Sequence, residues 1–195
     1  RVAPALFTMR ECYCITTMSH RKGYFFGSEV KMNDGLYFQK PSHRAHPERP
    51  ARLASAYQTL IDYGLVQRCE RLAARDATRE EIAWLHTTEY IEKVASSATM
   101  TQAQCEKLDR EEFTEKFVYF CQQTYRASLL AAGSSVQVVE NILSGKSLNG
   151  LALVRPPGHH AESDTAFGFC FFNNTAVATR YAIEHYNLKR SVTFL

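Results

Sequence analysis

Beyond Pro50 the apolar positions fall at helical spacing. Leu53, Tyr57, Leu60 and Ile61 share one face, and Gly64 stands where a helix would be capped. Pro50 suits the first turn, because its missing N–H would go unpaired there in any case. Thr78-Arg79-Glu80-Glu81 has capping-box spacing and precedes Ile82, Trp84 and Leu85, and Thr87 or Thr88 can cap a further helix through Tyr90, Ile91 and Val94. The longest helical pattern runs from about Phe113 to Leu143. Leu129, Ala132, Gly133, Val136, Val139 and Leu143 form its expected buried stripe, and Gly145 ends it. A last helix is expected over 175–185, with Val177, Tyr181 and Ile183 apolar.

Other stretches read as strands. Leu151-Ala152-Leu153-Val154 is a short continuous apolar run between Gly150 and Pro156, the pattern of a buried strand in a parallel sheet, and Val192-Thr193-Phe194-Leu195 reads as a second. Residues 1–46 read as loops, with candidate strands at Tyr24–Phe26 and Leu36–Phe38. The order helix, strand, loop, helix, strand is an α/β crossover. The expected fold class is therefore α/β, a parallel sheet flanked by helices. The chain stops inside a strand and begins with Arg1, so it is expected to be a piece of a larger domain.

Composition narrows the function classes. With 195 residues and 45% hydrophobic positions the chain can bury a core, which argues against wholesale disorder. No run of about 18 apolar residues is present, so no membrane-spanning helix is expected. A net charge of +3, with acids spread among the bases, is no nucleic-acid footprint. Six scattered cysteines suit a reducing compartment better than a disulfide scaffold.

The chemistry concentrates at Arg155-Pro156-Pro157-Gly158-His159-His160-Ala161, just past the C-terminal end of the first buried strand, where ligand sites of open α/β sheets lie. Prolines stiffen this loop and Gly158 supplies one permissive position. Imidazole can take and return a proton near neutrality, so two adjacent histidines can divide that work. They still need an electrophile, usually a metal, and acidic partners that fix each tautomer. In Gly168-Phe169-Cys170-Phe171-Phe172-Asn173, glycine permits close backbone approach and Phe169 could wall a narrow apolar channel; an aromatic core strand is the competing reading.

Together, Pro-Pro-Gly-His159-His160-Ala161-Glu162 and Gly168-Phe169-Cys170-Phe171-Phe172-Asn173 resemble the zinc-dependent histone deacetylase family, of the arginase/deacetylase superfamily. The Arg155-Pro156-Pro157 lead-in looks like its class II branch, and His46-Pro47-Glu48-Arg49-Pro50-Ala51-Arg52-Leu53 matches the N-terminal signature. The resemblance covers 33–195 and implies the N-terminal part of a three-layer catalytic domain, truncated within its sheet; residues 1–32 remain an unassigned extension. It implies that His159 is an electrostatic and possible acid group and that His160 is the general base. Gly168 would offer its carbonyl to the substrate amide, Phe169 would wall the acyl-lysine tunnel, and Arg52 would line an internal cavity. For Arg52 a helix-surface ion pair is an equally good reading. The zinc ligands, an Asp-x-Asp-x-His segment and a further Asp, would lie beyond Leu195, so this chain alone is expected to hold no catalytic zinc and to be inactive. Three positions depart from the family pattern: Ser163 replaces a common proline, and Cys121-Gln122 replaces a common His-Pro.

The implied reaction is hydrolysis of acetyl-lysine amides on histone tails or other proteins, in the nucleus or cytoplasm, with co-repressor proteins as possible partners and neither nucleic acid nor membrane. Two alternatives stand beside it: deacetylation of an acetylated polyamine, and a non-catalytic interaction fragment. No other cluster competes as a metal site. Cys12, Cys14 and His20 lack the paired spacing of structural zinc, as do His43 and His46. Walker, dinucleotide and Gly-x-Ser-x-Gly motifs are absent.

Overall fold

In the computed structural model the described residues are 11–15, 25–29, 48 and 50–191. Helix α1 spans Pro50–Asp62 and stops at Gly64, whose φ of +67° is in the left-handed region. Leu53 of its expected face is buried, while Tyr57, Leu60 and Ile61 are half-buried. Helix α2, Arg79–Ala83, opens with the capping box. Thr78 Oγ1 accepts from the Glu81 N–H at 3.1 Å, and Glu81 Oε2 accepts from the Thr78 N–H at 2.7 Å. Thr87, rather than Thr88, caps α3, Thr88–Ser96, accepting from the Tyr90 N–H at 3.2 Å.

The long helix expected from Phe113 is a correction. A separate helix, α4 (Gln102–Leu108), precedes it, opened by a Thr101–Gln104 capping box. It continues into a π-turn at Asp109–Phe113 and a 3-10 turn at Thr114–Lys116, then stops at Phe117 with φ +55°. The reason is in the aromatics. Phe113, Val118 and Phe120 all enter the core while Phe117 is left exposed, and one helical face cannot present 113, 118 and 120 together. Asp109 completes the break by accepting the Phe120 N–H at 2.8 Å. Helix α5 therefore begins at Thr124 and runs to Leu143. Gly133 within it is required, because a Cβ there would lie 2.2 Å from the Arg75 carbonyl oxygen where residues 75–77 cross the helix.

The strand readings are corrected too. Strands β1 (Glu11–Ile15) and β2 (Phe25–Glu29) pair antiparallel, and the expected buried run at 151–154 shortens to β3, Ala152–Leu153, half-buried and antiparallel to β1. The described sheet thus has the order β2-β1-β3. The parallel sheet is not found among the described residues. Leu151 is exposed, and two prolines without N–H groups end the ladder at once. The expected strands at Leu36–Phe38 and Val192–Leu195 lie outside the described residues, as does Tyr24.

Helix α6, Asn174–Tyr186, packs along α5; its Val177, Ala178 and Ala182 are buried, whereas Ile183, expected apolar-face, is exposed. One main core joins Ile82, Tyr90, Ile91, Val94, Phe113, Phe120, Val136, Phe171, Phe172 and Val177. Phe171 and Phe172 of the second motif are core residues, so that segment is anchored by apolar burial. Among the described residues no helix is long and apolar enough to cross a membrane.

Candidate active site

The loop that leaves β3 is fastened at its base. Arg155 is buried at 3% exposure and donates from Nε to Glu48 Oε1 at 2.7 Å; its Nη2 hydrogen-bonds the Tyr119 hydroxyl. Burial pushes the Tyr119 phenol's pKa well up, although the Arg155 charge opposes the rise, so the phenol stays a neutral donor and acceptor. The Arg155–Pro156 peptide is cis. Asn174 donates to the Pro156 carbonyl at 3.1 Å, tying the loop to the start of α6. Gly158 lies so close to that start that a Cβ would sit 2.4 Å from the Asn174 nitrogen and 2.7 Å from the Phe172 oxygen.

Immediately beyond Gly158 the chain surfaces. His159 and His160 are both exposed, with ring centroids 4.2 Å apart. The Ala161 N–H closes the turn onto the Gly158 carbonyl at 3.1 Å. The second motif faces this turn. Phe167 and Cys170 bond each other's backbone at 3.1 and 2.9 Å, around Gly168 at φ +52° and Phe169 at φ +72°. Two positive-φ residues in a two-residue loop give the mirror-image turn of tight hairpins, and a phenylalanine there is strained. The Gly168 and Phe169 N–H groups donate to the Lys116 and Phe117 carbonyls at 2.9 and 3.1 Å, which holds the turn against the segment after α4. The His160 ring rests on Gly168: a Cβ at 168 would lie 2.6 Å from its Cδ2. The rings of Phe167 and His160 meet edge-on, 6.1 Å apart.

His159, His160, Gly168 and Phe169 are thus brought together in one place. The Gly168 carbonyl accepts the Cys170 thiol at 3.3 Å, and burial pushes that thiol's pKa up, so Cys170 packs rather than reacts. Phe169 also lines a small cavity with Glu48, Tyr119 and Arg155. Arg52 is elsewhere: its side chain is 54% exposed and donates to Glu48 at 3.0 Å, the ion pair that the sequence left open beside the cavity role. The buried arginine on Glu48 is Arg155, which the sequence reading used only as a motif letter. Glu48 and Arg155 were legible only as parts of signatures and Tyr119 in none, since nothing in spacing shows that 48, 119 and 155 meet.

Among the described residues no three His, Cys, Asp or Glu side chains group so as to hold an ion. His20, His43 and His46 lie outside the described residues, as do the side chains of Cys12 and Cys14. Cys69, Cys105, Cys121 and Cys170 are free thiols. The residues described here do not fit a zinc ion.

A stiff loop with a buried base carries two exposed imidazoles over a glycine turn, and comparison with known proteins supplies the family. The histone deacetylase domain matches residues 46–194. A polyamine deacetylase HDAC10 from Danio rerio is 43% identical over 145 residues, covering 73% of this chain and 21% of the relative. A histone deacetylase 6 from Caenorhabditis elegans is 36% identical over 148 residues, covering 74% and 15%. The crystal structure of the HDA15 HD domain superposes with a TM-score of 0.64 at 32% identity, covering 76% of this chain and 41% of that one. The chain belongs to the histone deacetylase family and has the fold of its domain. It spans about a fifth of the length of the HDAC10 relative.

Proposed function

We propose that this chain is the N-terminal part of a class II-like deacetylase domain that hydrolyses the acetyl amide of a primary amine. The observation that carries the reading is the seating of His160 on Gly168, inside the turn that presents Phe169. In this reading His160 takes a proton from the attacking water, and His159 helps return one to the departing amine as the C–N bond breaks, giving acetate and free amine. The Gly168 carbonyl orients the substrate amide, and Phe169 flanks the acyl chain. The zinc of the family would be held by residues that follow this segment in a completed three-layer domain with a parallel sheet, where it would polarise the acetyl carbonyl. The chain alone is then a non-catalytic piece.

The leading substrate is acetyl-lysine on histones or other proteins, with action in the nucleus or cytoplasm and co-repressors as partners. A second reading, an acetylated polyamine, draws support from identity: relatives named polyamine deacetylase stand at 40–43%, against 32–36% for those named histone deacetylase 6, histone deacetylase 4 and HDA1. The test assays the full-length protein on an acetyl-lysine peptide and on an acetylated polyamine, with zinc content measured for it and for residues 1–195. Turnover by the full-length protein alone is expected. Turnover with stoichiometric zinc in 1–195 would overturn the incomplete-domain reading, and no turnover of either substrate by the full-length protein would overturn the deacetylase reading.

A further inference from the structure

His86 is a buried imidazole that the proposed chemistry does not use. It is 4% exposed, with ring centroids 5.6 Å from Tyr90 and 5.2 Å from Phe172. Its Nε2 accepts the main-chain N–H of Asn173 at 3.1 Å. A ring nitrogen that accepts carries no proton, so the neutral ring holds its hydrogen on Nδ1. Nδ1 is buried without a well-formed hydrogen bond among the described residues. Burial pushes the imidazole pKa down, while the backbone of Glu162 and Ser163 pulls it back up.

Asn173 carries this contact onward. Its side-chain oxygen caps α6 by accepting the Ala176 N–H at 3.1 Å, and its amide nitrogen donates to the Ala161 carbonyl at 3.4 Å. Ala161 follows His160 directly. The next residue after His86 grips the same loop from the other side, for the Thr87 N–H donates to the Ser163 carbonyl at 2.9 Å. Residues 86–87 therefore hold the loop at 161–163 on two lines, one direct and one through Asn173.

We infer that His86 is a positioning residue for the His159–His160 loop, acting through the acceptor at Nε2. A hydrocarbon could fill the slot between Tyr90 and Phe172, but it could not accept from Asn173. That N–H would then seek another partner, and the loop tied to Asn173 would move with it. Displacing a proton-transfer group by a fraction of an ångström is enough to slow a reaction. The inference rests on the deacetylase reading for its kinetic consequence, not for its geometry.

The experiment uses the full-length protein with His86→Leu, His86→Asn and His86→Gln. Glutamine reaches with its Oε1 to the place of Nε2, whereas asparagine reaches only to that of Nδ1. Expected is a fall in kcat of about tenfold to a hundredfold for Leu and Asn, with KM within about threefold, and near-normal kcat for Gln. Imidazole ¹⁵N spectra should show His86 as the Nδ1–H tautomer, and the His159 and His160 signals should shift in Leu and Asn but not in Gln. If His86→Leu fails to fold, the Asn and Gln pair decides. Equal kcat and unchanged His159 and His160 signals across Asn and Gln would overturn the inference. If the wild type hydrolyses no acetylated amine, the deacetylase reading fails and the spectra alone decide the positioning role.

Discussion

The base and the tip of the 155–165 loop are built on opposite terms. Arg155, Pro156 and Gly158 are buried; the Glu48 and Tyr119 side chains hold the Arg155 guanidinium, and Asn174 holds the Pro156 carbonyl. One residue later His159 and His160 are exposed, and Glu162, Ser163 and Asp164 are exposed too. The chain goes from buried to exposed between Gly158 and His159. This abrupt step separates two requirements. Fixing a group in space takes contacts, while letting it exchange protons with water and substrate takes the absence of them. The fold meets both by spending its packing one residue short of the chemistry.

Base and tip part most sharply in activity. Replacing the base, His160→Ala in the full-length protein, is expected to cost about 10²–10⁴-fold in kcat/KM. The same change should leave stability within about 0.5 kcal/mol, as for surface substitutions generally. Steady-state kinetics and urea unfolding on one preparation check both halves. An inactive variant that is also several kcal/mol less stable would show that the tip is structural after all.

At the base the signs reverse. Arg155→Met leaves the Glu48 carboxylate buried without its closest cation, and breaking a buried pair in this way costs about 3–5 kcal/mol. The double variant Glu48→Gln/Arg155→Met should recover part of that loss, because no charge is then stranded. Denaturant unfolding of the three variants measures the coupling. The two glycines divide along the same line. Gly158→Ala drives a methyl into the backbone of Phe172 and Asn174 and is expected to destabilise by about 1–3 kcal/mol. Gly168→Ala instead meets the His160 ring, which can swing aside, so its main expected effect is a lower kcat with a smaller change in the unfolding midpoint, although φ +52° adds strain.

Local chemistry was readable in the sequence wherever it acts within one turn. The box at Thr78–Glu81, the Thr87 cap and the stop at Gly64 all lie where hydroxyl, carboxylate and glycine spacing put them. The meeting of His160 with Gly168 was also legible, because a short loop joins the two segments. What depends on distant partners was not. Phe113 to Phe120 looks helical until the core claims 113, 118 and 120 together, and Asp109, eleven residues away, takes the N–H that a helix would have used. Arg155 reads as a motif letter until Glu48 and Tyr119 arrive from positions far from it in the chain. His86 looks like one of seven scattered histidines until Asn173 is folded against it.

The smallest effect concerns the helix that leads into His86 and Thr87. Glu81 receives both Arg75 guanidinium nitrogens, at 2.6 and 2.8 Å, and the Thr78 N–H. Burial alone would raise its carboxyl pKa, but the Arg75 and Thr78 hydrogen bonds and the Arg75 charge together outweigh burial and hold it below its ordinary value of 4.5. A folded-state pKa below the unfolded one means that the unfolded chain binds the proton more readily. The contribution to stability is therefore complete above about pH 4.5 and is lost as the pH falls through the folded value. Glu81→Gln should flatten that acid limb and leave the activity profile near neutrality in place, since the proposed proton carriers are His159 and His160. Thr78→Ala removes the cap, for about 1 kcal/mol at neutral pH, and weakens the acid limb only in part, because the Arg75 bonds and the residue 78 N–H still hold the Glu81 carboxylate. Thermal unfolding from pH 3 to 7 separates the two variants. A neutral-pH kcat that falls with Glu81→Gln would show that the α2 cap reaches the loop tip through residues 86–87, and the line between fastening and chemistry would then run through α2 rather than between Gly158 and His159.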